Sequence, residues 1–121
     1  MKGISFWFMV TAAVYVTLGM CLGIYMAISE NHALAPAHAH LNLVGWVTMA
    51  LFGVYYHLVP AAGATMLARV HFGVATAGVL TLVPGIALAV LQNNVEFAKV
   101  GSILTLISML IFVFTIIRSR G

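Results

Sequence analysis

The chain has 121 residues, 64% of them hydrophobic and only 6% charged, with a formal charge of +3. A water-facing domain carries roughly a quarter charged residues, so this composition excludes a soluble fold and describes an integral membrane protein. The small positive charge, confined to the ends of apolar runs, argues against nucleic acid as a partner. The single cysteine, Cys21, rules out an intrachain disulfide and a multi-thiolate metal site.

Four apolar runs follow in chain order: Ile4–Ile28, Ala37–Val59, Val70–Leu91 and Phe97–Ile117. Each is near the ~20 residues that a spanning helix needs. The first exceeds the ~7–15 residues of a signal-peptide core and reads as a retained span. It contains Gly19-Met-Cys-Leu-Gly23, a small-xxx-small pattern that lets helix backbones approach closely. The break Ser29–Pro36 reads as a loop, with Pro36 suited to the first turn of the next helix. The breaks at Pro60–Arg69 and Gln92–Glu96 are short, so consecutive helices should be antiparallel neighbours. Pro84-Gly85 predicts a kink in the third span, and the fourth reads as scaffold.

The expected architecture is all-α, a single four-helix transmembrane domain over residues 1–121. Lys2, Arg69, Arg118 and Arg120 fall on one side of a four-span arrangement, and Glu30, Glu96 and Lys99 on the other. The positive-inside tendency then places both termini in the cytoplasm of a cell bounded by a bacterial-type inner membrane.

Histidines carry the chemistry. Ionisable groups inside a lipid-embedded segment are expensive and mark functional sites by default. His38 and His40 open the second span and His57 closes it. Two residues on an α-helix are ~200° apart, so His38 and His40 face opposite ways and cannot share one metal ion. His40 and His57, 17 residues apart, are separated by roughly 25 Å and cannot share a cofactor. His57 and His71 bracket the second connection and are candidates for a second site.

For His40 two readings stand: an interfacial histidine bonded to a nearby carbonyl, or an axial ligand to haem iron. Imidazole suits iron, haem is an apolar slab that fills helix bundles, and Gly45 beside Asn42 and Trp46 would leave room for it. His38 is read as solvated, as a ligand to a second haem, or as a copper ligand. His57 and His71 are read as polar rim residues or as a haem, copper or zinc site using imidazoles from more than one subunit. Arg69 suits a haem propionate or simply the positive-inside rule. His32 reads as exposed loop.

The stretch His40-Leu-Asn-Leu-Val-Gly-Trp, ending in Gly53-Val-Tyr-Tyr-His-Leu-Val-Pro60, resembles the second span of the catalytic subunit of the haem–copper oxidase superfamily, nearest its nitric oxide reductase and C-type oxidase branches. The resemblance covers about 25 residues and implies that His40 ligates a low-spin haem b. His38-Ala-His40 is similar to the His-x-His of that family's tenth span, where one histidine serves each of two haems. The family's subunit has about twelve spans in three arcs of four, so a four-span relative implies a homotrimer with haem between protomers. The family's copper ligands and non-haem-iron glutamates have no counterpart here, so stand-alone oxygen or nitric oxide reduction is not expected. The reading is electron transfer, with a respiratory electron carrier as partner, or binding of haem or a diatomic gas. The alternatives are a copper-handling membrane protein and a structural or assembly partner of a respiratory complex.

Overall fold

The computed structural model describes residues 1–121 and is entirely helical. Four long helices are apolar enough to cross a membrane: α1 (Gly3–Ser29), α2 (Ala35–Leu58), α4 (Met66–Gln92) and α5 (Glu96–Arg118). A single turn, α3 (Pro60–Gly63), joins α2 to α4. Of 93 backbone–backbone hydrogen bonds, 84 lie within helices. That distribution is what a hydrocarbon environment demands, because no water is present there to satisfy exposed amides.

The spans start and stop close to the expected places, with one informative difference. The third span begins at Met66, four residues before Val70, so Arg69 lies in its first turn rather than in a loop. Thr65 caps this start by accepting a hydrogen bond from the Ala68 N–H at 3.2 Å. Arg69 is tolerated there because its long side chain reaches outward and keeps its charge at the interface. The helix also runs unbroken through Pro84. Pro36 sits in the first turn of α2 as expected.

The helices form two antiparallel hairpins, and glycines set their closest approaches. Down the α1–α2 seam, Gly53 meets Ser5 and Phe8, Gly45 meets the Tyr15 ring, Gly19 meets Asn42 and Gly23 meets His38. On the α4–α5 seam, Gly78 faces Thr105, Gly101 faces the Leu82 backbone, and Gly85 faces Phe97 and Ala98. Lipid offers no hydrophobic drive for helices to associate, so close van der Waals contact of this kind must supply it. The outward faces are largely apolar, as with Ile103, Leu106, Leu110, Phe114 and Ile117 on α5.

An aromatic knot ties the hairpins together. Phe8 of α1, Phe52 and Tyr56 of α2, His71 and Phe72 of α4 and Phe112 of α5 pack ring against ring, with centroids 4.4–5.8 Å apart for the pairs that include His71. Phe8 meets Phe72 edge to face at 5.1 Å.

Candidate functional site

One end of the bundle carries the α1–α2 loop, His32, His38, His40, Glu96 and Lys99. The other carries Lys2, His57, Arg69, Arg118 and Arg120. Both ends of the chain thus lie on the same side, as an even number of spans requires.

At the loop end, α1 stops at Glu30, which adopts φ +55, and the Asn31 Oδ1 accepts the Ala33 N–H at 3.0 Å. This tight turn leads into Pro36 and sets the start of α2, which alternates its two histidines between faces. His38 turns inward onto Gly23, and a Cβ there would lie 3.1 Å from the His38 ring. The Asn42 Nδ2 donates to the His38 Nε2 at 3.3 Å, while Asn42 itself rests on Gly19. The small-xxx-small pattern of α1 is therefore a cradle for this polar pair. The pair is incompletely satisfied: His38 Nδ1 and Asn42 Oδ1 are buried without a hydrogen-bond partner in the chain.

His40 is exposed on the outer surface of the bundle, in one stripe with Leu43, Val47 and Leu51. Its Nδ1 lies 2.8 Å from the Pro36 carbonyl oxygen. A carbonyl only accepts, so Nδ1 carries the proton and donates it. With Nδ1 held as the donor, Nε2 is the ring nitrogen left for a ligand, the arrangement by which ligating histidines are oriented. Directly after His40 the backbone widens into a π-helix over Leu41–Thr48, with Thr48 Oγ1 donating to the Leu43 carbonyl at 2.8 Å. Such segments are rare and recur at functional sites.

Asn42 and Gly45 do not share the His40 face. Both point to α1, and the room that Gly45 provides is taken up by the Tyr15 ring, whose Cβ would be 3.0 Å from an added methyl. Trp46 is half-buried against the core. The sequence periodicity contained this answer, because positions 42 and 45 follow the inward positions 38 and 41 rather than 40.

At the other end, His57 and His71 separate. His57 is exposed and borders a cavity of about 370 Å³ with Lys2, Ser5, Tyr56 and Pro60. His71 is fully buried at the centre of the aromatic knot, where its Nδ1 shares a 2.8 Å hydrogen bond with the Tyr56 hydroxyl and its Nε2 has no partner. Its partner is thus the residue before His57. The Phe52–Tyr56 spacing of four, which puts both rings on one helix face, was the available signal for this pair. Arg69 is exposed, and His32 is exposed in the loop. No three or more His, Cys, Asp or Glu side chains of one chain are grouped to hold a metal ion. No protein-family model, curated protein or solved structure matches the chain.

Proposed function

We propose that this protein binds b-type haem at the membrane surface of α2, with His40 as an axial ligand, and works in electron transfer or diatomic-gas binding rather than bond-breaking catalysis. One observation carries the reading: the Pro36 carbonyl fixes the Nδ1–H of His40 and leaves Nε2 free on an outward, apolar face. The donor fits iron. None of the four principal cavities within the chain is lined by His40, so the group is expected between copies of the chain. A homotrimer, as the resemblance to the haem–copper oxidases implies, would supply such a boundary, and both termini would face the cytoplasm. A bound haem would contribute one-electron chemistry at its iron. This chain's part is to hold the ring nitrogen in the ligating tautomer and to keep water from it with Leu43 and Val47.

The test is an absorption spectrum of the detergent-purified protein, oxidised and then reduced. A Soret band with sharp reduced α and β bands is expected, lost in His40→Ala and retained in His32→Ala and His57→Ala. A colourless protein after haem supplementation, or a His40→Ala variant with the wild-type spectrum, would refute the assignment. Two axial imidazoles would give a carbon-monoxide-insensitive spectrum and assign electron transfer. A spectrum that shifts with carbon monoxide would assign gas binding.

A further inference from the structure

A second site lies at the opposite end from His40 and does not depend on the haem reading. A cavity of about 320 Å³ opens between α3, the start of α4 and the end of α5. Arg118, Arg120, Thr65 and Ser119 line it together with the apolar Val59 and Leu67.

Charge balance makes it unusual. The chain has only two acidic residues, Glu30 and Glu96, and both sit at the far end of the bundle. Its one ion pair, Lys99 with Glu96 at 3.6 Å, is also there. Arg118 and Arg120 therefore line the cavity with no Asp or Glu side chain near them. Arg118 alone would be explained by the carbonyls at the end of α5, which favour a cation. Arg120 lies beyond the helix and has no such role. The segment carrying both is pinned in place: the Tyr55 and Ser119 hydroxyls are hydrogen-bonded across α2 and α5, and Ser119 Oγ also donates to the Thr115 carbonyl at 2.6 Å. The cavity wall is thus built from tertiary contacts and is more than a loose basic tail.

We propose that this cavity binds the headgroup of an anionic phospholipid. Two guanidinium groups match phosphate oxygens by paired N–H donors. The apolar lining and the adjoining outward face, with Leu58 and Ile117 both exposed, continue into surface suited to acyl chains. Basic pockets between helix ends at a membrane interface take such headgroups. A lipid fits this mixed lining better than a free anion, which would use only the arginines.

The full chain, purified in non-ionic detergent, is titrated with phosphatidylglycerol or phosphatidylcholine and read by native mass spectrometry. One phosphatidylglycerol is expected to stay bound in preference to phosphatidylcholine. Arg118→Gln with Arg120→Gln should weaken it more than tenfold beyond the loss from Arg69→Gln. Diffuse surface attraction accounts for about fivefold per charge, so Arg69→Gln, at the same end but outside the cavity, should lose no more than that. Tyr55→Phe, which changes no charge, should still weaken binding several-fold. Equal binding of both lipids, or a loss in Arg69→Gln as large as in either cavity arginine, would overturn the proposal. So would displacement of the lipid by inorganic phosphate at matched concentration, which would assign the cavity to a soluble anion.

Discussion

His71→Ala should be the most damaging single substitution in this chain, costing about 3–5 kcal/mol, the range found when a large buried ring is deleted. The ring is fully buried and contacts partners from the other three spanning helices, so its removal leaves a cavity where all four of them meet. It also removes the His71 Nδ1 partner of the buried Tyr56 hydroxyl. Tyr56→Phe leaves Nδ1 unpaired instead and should cost about 1–3 kcal/mol, the penalty for an unsatisfied buried polar group. His71→Leu, of similar volume, removes the same hydrogen bond from the hydroxyl. The combination Tyr56→Phe/His71→Leu removes both polar groups together and should recover much of the loss, because an apolar pair in an apolar knot has nothing left unsatisfied. Denaturant titration of the four proteins in detergent micelles measures the cycle. A double variant as unstable as the sum of the two singles would show that the hydrogen bond is not what couples these residues.

Gly101→Ala and Gly85→Ala should each separate α4 from α5. A methyl at Gly101 would collide with the Leu82 backbone, and one at Gly85 would come within 2.5 Å of the Ala98 nitrogen and 2.7 Å of the Phe97 carbonyl carbon. Backbone cannot swing aside as a flexible side chain can, so the helices must move apart. Overpacking of this kind costs about 1–3 kcal/mol per site, and the two should act on one seam. Gly73→Ala is the control. Nothing lies within 4 Å of its added methyl, so it should be neutral or stabilising by up to ~1 kcal/mol through helix propensity. Thermal denaturation in detergent separates the cases, and a Gly101→Ala protein as stable as Gly73→Ala would contradict the seam described here.

The two histidine-bearing ends have opposite character. At the loop end, His38 and Asn42 are held on Gly19 and Gly23, which turns α2 so that His40 faces outward. At the arginine end, the same helix delivers Tyr55 to the Ser119 hydroxyl and Tyr56 to the core. One helix thus links the outward imidazole, the buried knot and the basic cavity.

Four spans, their order and their antiparallel run were determined by the sequence alone. In lipid every backbone amide must be satisfied within its own helix, so an apolar run of sufficient length leaves the chain no other structure. The gathering of both acidic residues with Lys99 at one end and of the other four basic residues at the other was legible for the same reason, since those residues can only terminate spans. Pairing between helices was not legible. Nearly every face of the spans is apolar, and hydrophobicity therefore says little about which face is inward. That choice fell to shape: which glycine accepts which side chain, and which ring fits beside which. Hence His71 finds Tyr56 rather than His57, whereas the turn of Asn42 and Gly45 away from His40 was already contained in the helical periodicity, and only their fit onto α1 was decided by packing. The π-helical widening at Leu41–Thr48 leaves no mark in composition or periodicity, because it is a property of backbone winding and emerges only where α2 packs against α1.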